Sequence, residues 1–278
     1  IKREVDWQAV DLALSYRYVP APATGFKSIF KLPAGHKLIL KNHKLEVSPY
    51  WQAANYAQED KTLSLPEWKD KLWELFKDSV KGRLISDVPV GVFLSGGLDS
   101  SSVVAAMAEV LPSSKIRTFS VGFKDTPDSE TPFAKLVAER FNTQHTEIII
   151  DPNIIEILPK LINQYEEPFF DNSAVPTMAM SEQTKKYATV VLTGDGGDEC
   201  FGGYPNHSFF NYLSLYQKMP GIVYKNFIPA VSNFLAGLYP DRKMRKLAYR
   251  CELLGHPLLQ AYVDYYVIWQ KEFRRTKF

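Results

Sequence analysis

The chain has 278 residues, 45% of them hydrophobic and 23% charged, with a formal net charge of +2. That near-balance lacks the concentrated basic excess of a nucleic-acid surface, and no apolar run approaches the roughly 20 residues that span a bilayer. Two cysteines, Cys200 and Cys251, are too few for a disulfide framework.

The five histidines, His36, His43, His145, His207 and His256, show no metal-ligand spacing. The sequence starts at Ile1 without a methionine or a signal-peptide pattern, so it is expected to be a trimmed piece of a cytoplasmic protein.

Residues 1–60 hold short β-like runs, Gly25 to Leu32, His36 to Leu40 and Lys44 to Val47, broken by Pro20, Pro22, Pro33, Gly35 and Pro49. Leu32-Pro33-Ala34-Gly35-His36 reads as a turn between strands. Tyr50-Trp51 then leads into a polar patch, Gln52 to Thr62, that reads as a linker. A second domain is expected over residues 61–278.

From Pro66 the pattern becomes helical, with Trp68, Leu72, Leu75, Phe76, Val80, Leu84 and Ile85 recurring at helix spacing until Pro89. Apolar strands are expected at Val90–Leu94, Ile116–Phe123, His145–Ile150 and Thr189–Thr193. Helices are expected between them, one with Phe133, Leu136, Val137 and Phe141 on a single face. Strands apolar along their length and alternating with helices imply a doubly wound α/β domain with a parallel sheet covered on both faces. After Tyr204 the strands stop, and a Tyr-, Leu- and Phe-rich helical extension is expected to Phe278.

The first strand runs into an unusual turn, VFLSGGLDSSSVV, from Val92 to Val104. In open parallel sheets, ligands collect at the carboxyl ends of strands. Gly96 and Gly97 let the backbone approach a ligand closely, and successive amides plus the following helix N-terminus favour an anion. Ser95, Ser100 and Ser101 carry hydroxyl donors for phosphate oxygens. Asp99 would repel a bare phosphate, and makes sense with Mg²⁺ between the two anions. An ordinary βα turn with Ser100 or Asp99 as N-cap explains one residue of the six from Ser95 to Ser100. No lysine follows the glycines, so this is not a Walker-A loop.

Ser95-Gly96-Gly97-Leu98-Asp99-Ser100 resembles the pyrophosphate loop, S-G-G-x-D-S, of the N-type ATP pyrophosphatases. Those enzymes cleave ATP between the α- and β-phosphates and adenylate a carboxylate or carbonyl oxygen. Further along, Val190 to Tyr204 reads VVLTGDGGDECFGGY, a strand running into a second glycine-rich loop with Asp195, Asp198 and Glu199. Taken alone, this loop reads equally as a divalent-metal site or as an acidic helix start. It resembles the (S/T)-G-(E/D)-G-x-D-E-x-F-G-G-Y signature of the glutamine-hydrolysing asparagine synthetase family. Phe119-Ser120-Val121-Gly122-Phe123 agrees, as do Glu167-Pro168-Phe169 with Asp171 and Ser173, and the Tyr18–Pro22, Ile29–His36 and Tyr50-Trp51 stretches. The first sixty residues thus look like the last strands of the family's glutaminase domain and the exit into its synthetase domain.

The resemblance implies a fold similar to adenine nucleotide α-hydrolases, with ATP and Mg²⁺ as cofactors. Asp99 and Asp198 would hold the metal against the pyrophosphate. Leu94 and Val121 would meet the adenosine end largely through backbone, and Thr193 and Gly194 would line the nucleotide site beside Ser95, Gly96, Gly97 and Ser100. Asp195 occupies the acidic position tied to acyl-adenylate formation, where some members carry Glu. The implied reaction adenylates the aspartate side chain to β-aspartyl-AMP, after which ammonia derived from glutamine gives asparagine and AMP. The family's glutaminase uses an N-terminal cysteine, and the first cysteine here is Cys200, so glutamine hydrolysis is expected to reside in a domain outside these residues. A charge-stabilising lysine is likewise expected beyond Phe278, since Lys271 and Lys277 are no convincing match, and little synthetase turnover is expected from this piece alone. A related amide or lactam synthetase acting on another acceptor, or a nucleotide-binding module without catalysis, stays open. So does a homodimer. Neither nucleic acid nor membrane is expected as a partner.

Overall fold

The computed structural model describes residues 2–56, 62–124, 130–151, 153–239, 241–253 and 255–266. They fall into two compact units: Phe30–Glu167 with Asp171–Gly196, and Ile1–Ile29 with Pro168–Phe170 and Gly197–Phe278.

The chain opens with a helix, α1 (Trp7–Tyr16), started by Asp6, whose Oδ1 accepts from the Gln8 and Ala9 amides. Its buried face is Ala9 and Ala13, packed with Val19. A face built of alanines is too weakly apolar to stand out in a periodicity reading, and the β-like reading of this region missed it. The Gly25–Leu32 run forms no strand beyond a bridge between Val5 and Phe26. The next two runs are strands as expected, β1 (His36–Lys41) and β2 (Lys44–Pro49), and they pair antiparallel as a hairpin. Asn42 and His43 both take positive φ, the requirement of a two-residue type I′ turn. A short 3₁₀ turn at Ala53–Tyr56 occupies part of the expected linker.

Helix α2 (Leu65–Arg83) leads into β3 (Val90–Phe93), α3 (Leu98–Val110), β4 (Arg117–Phe123), α4 (Thr131–Phe141), β5 (Gln144–Ile150), α5 (Ile154–Tyr165), α6 (Ala174–Thr184) and β6 (Val190–Leu192). The four strands β3 to β6 make one parallel sheet in the order β5-β4-β3-β6. Register fixes its two faces. Val92 pairs with Thr118, so it shares a face with Leu94, Thr118 and Ser120. That face joins Val80 of α2, Val103, Val104 and Met107 of α3, and Ala134 and Ala138 of α4. Val121 and Phe123, paired with Ile148 and Ile150, point the other way, onto Ile157 of α5 and Ala179 of α6. The sheet is therefore covered on both sides, as a run of apolar parallel strands requires.

Two details depart from the sequence reading. Helix α4 meets the core through Ala134, Ala138, Val137 and Phe141, while Phe133 and Leu136 are exposed. Alanines let the helix approach the sheet closely, and the bulkier pair is left outside. The α3/α4 face of β4 is also polar rather than apolar. Buried Thr118 and Ser120 bond the two ring nitrogens of His145 through their hydroxyls at 2.8 and 3.1 Å, and Thr118 Oγ1 also meets Thr143 Oγ1 at 2.9 Å. Burial pushes the His145 imidazole below its ordinary value, with Glu147 opposing and Lys135 assisting.

The elements of the described residues after Gly196 are helical: α7 (Gly197–Phe201), α8 (Pro205–Tyr216), a π turn at Val223–Phe227, α9 (Ile228–Leu238), α10 (Arg242–Leu253) and α11 (Leu258–Tyr266). Leu213, Leu253 and Ala261 form its core, with Phe210, Tyr249 and Tyr265 packed around them. Lys271 and Lys277 lie outside the described residues. No helix among the described residues is long and apolar enough to cross a membrane.

Candidate active site

Strand order locates the crevice. From β3 the chain moves outward through β4 and β5, then returns to place β6 on the opposite flank of β3. The winding reverses between β3 and β6, and ligands of open α/β sheets bind at such a switch point, at the carboxyl ends of the strands. Both glycine-rich loops begin there: Leu94–Gly97 leaves β3, and Thr193–Gly196 leaves β6.

The first loop is held by its serines. Ser95 N–H donates to Ser100 Oγ at 3.2 Å, the two hydroxyls lie 3.0 Å apart, and Gly97 N–H donates to Ser95 Oγ at 3.2 Å. Ser100 is buried, so its hydroxyl staples the loop to the first turn of α3. Gly96 has φ +84, and a Cβ there would lie 2.5 Å from the Phe133 carbonyl carbon and 2.6 Å from the Ala134 nitrogen. Only glycine combines that φ with so close a backbone. Gly97 is the N-cap of α3 and carries no side-chain cap, so the first-turn amides stay open to an outside acceptor. Asp99 stands half-buried in that same turn. Ser101 Oγ is buried there without a hydrogen-bond partner.

The second loop lies directly against this turn. A Cβ on Gly194 would fall 2.8 Å from Ser100 N and 3.0 Å from Asp99 Cβ. Thr193 and Asp195 are exposed beside it, and Asp195 N–H donates to Thr193 Oγ1 at 3.3 Å. Ser95, Gly96, Gly97, Asp99, Ser100, Thr193, Gly194 and Asp195 therefore share one edge of the sheet. Leu94 is buried in the core with its amide bonded to the Phe119 carbonyl, and Val121 packs with the α5/α6 cluster.

Asp198 belongs to the other unit, in α7. There it lies flat on Gly203: a Cβ at that glycine would be 1.9 Å from Asp198 Oδ1. Gly203 N–H donates to the Asp198 carbonyl at 3.0 Å. The neighbouring Glu199 accepts from Tyr204 Oη at 2.6 Å. That hydrogen bond lowers the Glu199 carboxyl and pushes the Tyr204 phenol up to about 12. Cys200 is exposed. Among the described residues no group of three His, Cys, Asp or Glu side chains forms a ready-made metal cage.

Sequence reasoning did not anticipate the Ser95–Ser100 staple, the Glu199–Tyr204 bond or the polar network at His145. Hydroxyl spacing announces none of them, because each depends on which side chains the turns bring together. Gly203 was visible only as part of a motif, without its reason: the carboxylate that lies on it.

Comparison with known proteins identifies the family. A family model described as asparagine synthase matches residues 71–276. A Methanocaldococcus jannaschii protein named as a glutamine-hydrolysing asparagine synthetase is 42% identical over 223 residues, covering 79% of this chain and 42% of its own length. Asparagine synthetase (glutamine-hydrolysing) 1 of Bacillus subtilis is 35% identical over 223 residues, covering 78% and 34%. The chain thus spans less than half the length of these relatives. Among solved structures, the NH3-dependent NAD synthetase of Campylobacter jejuni aligns with 67% of this chain and 94% of its own, at 15% identity and a TM-score of 0.34. On the family match and these two relatives, the chain belongs to the asparagine synthase family.

Proposed function

We propose that this chain carries the nucleotide-activating part of an ATP-dependent amide-forming ligase that makes asparagine. The observation that carries this reading is the seat of Gly194 on the backbone of Asp99 and Ser100, which brings two glycine-rich loops to one switch point. Such a crevice offers an anion the amides of the first α3 turn and two loops that accept close approach. In this reading the pyrophosphate of ATP lies along Ser95–Ser100, and the adenosine end lies towards Leu94 and Val121. Thr193 and Gly194 line the opposite wall.

The cation in this reading is magnesium. It is ordinarily held by one or two carboxylates with phosphate and water completing the shell, and Asp99 and Asp198 are hard-oxygen donors of that kind. When bound, it would neutralise charge on the phosphates. The chain's own residues then align the reactants. An aspartate side-chain oxygen attacks the α-phosphorus, pyrophosphate leaves, and β-aspartyl-AMP forms. Ammonia, supplied by glutamine hydrolysis in a glutaminase domain of the parent protein, attacks the acyl carbon and expels AMP. Asp195, exposed beside Thr193, is the acidic group this reading assigns to formation of the acyl-adenylate.

The test is ATP–pyrophosphate exchange measured with aspartate, glutamate and no acceptor. Exchange that requires aspartate supports the reading. Exchange driven by a different carboxylate moves the assignment to a related amide or lactam synthetase. Release of ADP and phosphate instead would overturn cleavage between the α- and β-phosphates.

A further inference from the structure

Asp198 and Glu199 are adjacent carboxylates on a five-residue helix, and the structure treats them differently. Successive helical side chains diverge by about 100°. Asp198 lies against a glycine whose missing Cβ leaves room for its Oδ1. Glu199 turns instead to the phenol of Tyr204, five residues on, and accepts a hydrogen bond from its hydroxyl at 2.6 Å. Between these two contacts the backbone reverses through Gly202, at φ +70, and closes with Gly203 N–H donating to the Asp198 carbonyl. The Tyr204 ring is itself set edge-on against His207, with centroids 5.5 Å apart. The loop from 198 to 204 is therefore tied at both levels, by backbone at 198–203 and by side chain at 199–204.

We infer that Tyr204, acting through Glu199, is a positioning residue that holds the 198–204 turn closed and so presents Asp198 to a divalent cation. Glu199 itself is not a ligand in this account: its carboxylate oxygen is engaged by the phenol, and its role is to accept that bond. The inference rests on the proposed magnesium role of Asp198. It goes beyond that role by assigning a function to two residues outside the metal shell. Partners that orient a metal ligand typically change metal affinity by about 10- to 100-fold when removed.

The distinguishing experiment compares wild type with Tyr204→Phe, Glu199→Ala and Glu199→Gln. The glutamine variant keeps an oxygen acceptor for the phenol while removing the charge. Two readouts are used. The first is amide hydrogen exchange at Gly203 without nucleotide or metal, which reports closure of the turn directly. The second is ATP affinity by calorimetry at graded Mg²⁺ and in EDTA. Tyr204→Phe and Glu199→Ala are expected to speed Gly203 exchange by about tenfold and to raise the Mg²⁺ needed for half-maximal ATP binding by a similar factor. Glu199→Gln is expected to remain near wild type in both, and affinity in EDTA is expected to be unchanged throughout. If Glu199→Gln is as damaging to Mg²⁺ dependence as Glu199→Ala while Gly203 stays protected, Glu199 acts on the ion through its charge and the positioning role is overturned. Variants indistinguishable from a wild type that binds ATP with Mg²⁺ overturn it as well. A wild type with no Mg²⁺-dependent ATP binding fails at the earlier step and removes the magnesium role together with this one.

Discussion

Gly194→Ala places one methyl group where the two loops meet. Its carbon would lie 2.8 Å from Ser100 N, 3.0 Å from Asp99 Cβ and 3.2 Å from the Asp99 carbonyl carbon. The closest of these is about 0.6 Å inside ordinary contact, and two of the three are backbone atoms of α3 that no rotamer change can move. Either the β6 loop lifts away or the start of α3 shifts. Overpacking of this kind costs about 1–3 kcal/mol, which should appear as a fall of several degrees in Tm. Function should suffer more than stability, because the displaced atoms are the amide and carboxylate assigned to phosphate and metal. A shift approaching 1 Å costs up to about 100-fold in rate, and we expect Mg²⁺-dependent ATP affinity to drop at least tenfold. Calorimetric titration and thermal unfolding measure the two effects separately. Gly82→Ala is the control: it sits in α2 with nothing within 4 Å of its added carbon. It should gain about 0.5–1 kcal/mol and leave ATP affinity alone. If Gly194→Ala matched wild type in both Tm and affinity, the close approach of the two loops, and the site built on it, would be wrong.

Further perturbations probe other parts of the account. Gly96→Ala combines an unfavourable φ of +84 with a contact 2.5 Å from Phe133, and should lose at least about 2 kcal/mol in urea unfolding; a loss under about 0.5 kcal/mol contradicts the geometry. The Tyr204–Glu199 bond has a pH signature. Tyr204 is raised above its ordinary 10.0, so its contribution is complete below pH 10 and is lost as pH rises through about 12. Glu199 is lowered below 4.5, so its contribution is present above that value and is lost as pH falls through the lowered one. Ultraviolet titration should find one tyrosine ionising near 12 and moving back towards 10 in Glu199→Gln; the absence of any such late tyrosine counts against the bond. Asp6→Ala, which removes the acceptor of two amides at the start of α1, should cost about 1 kcal/mol in the same unfolding assay. No change there would mean that water replaces the cap at no cost.

Much of the parallel sheet was readable because its strands carry short apolar runs separated by helical periodicity, whereas their order, β5-β4-β3-β6, was not. The two loops were readable for another reason: glycines, serines and acids crowd a strand end beyond what an ordinary βα turn uses. What escaped depends on tertiary proximity. Helix α1 hides its packing face in Ala9 and Ala13, which weigh little in any hydrophobic pattern. The face of α4 was misassigned because Phe133 and Leu136 are the larger apolar residues, yet close approach to the sheet favours Ala134 and Ala138. His145 looked like one scattered histidine until the register set Thr118 and Ser120 beside it. Ser100, read first as a phosphate donor, has a hydroxyl that meets Ser95.

The central claim is that the Ser95–Ser100 and Thr193–Asp195 loops hold the phosphates of ATP through a divalent cation. Equilibrium binding of ATP to this chain, with Mg²⁺ and with EDTA, for wild type and Asp99→Ala, tests it most directly. The expected result is binding that needs Mg²⁺ and weakens at least about tenfold in the variant, since losing even a residue that orients a metal ligand costs about 10- to 100-fold in metal affinity. ATP binding that ignores both Mg²⁺ and Asp99, or no binding at all, would contradict it.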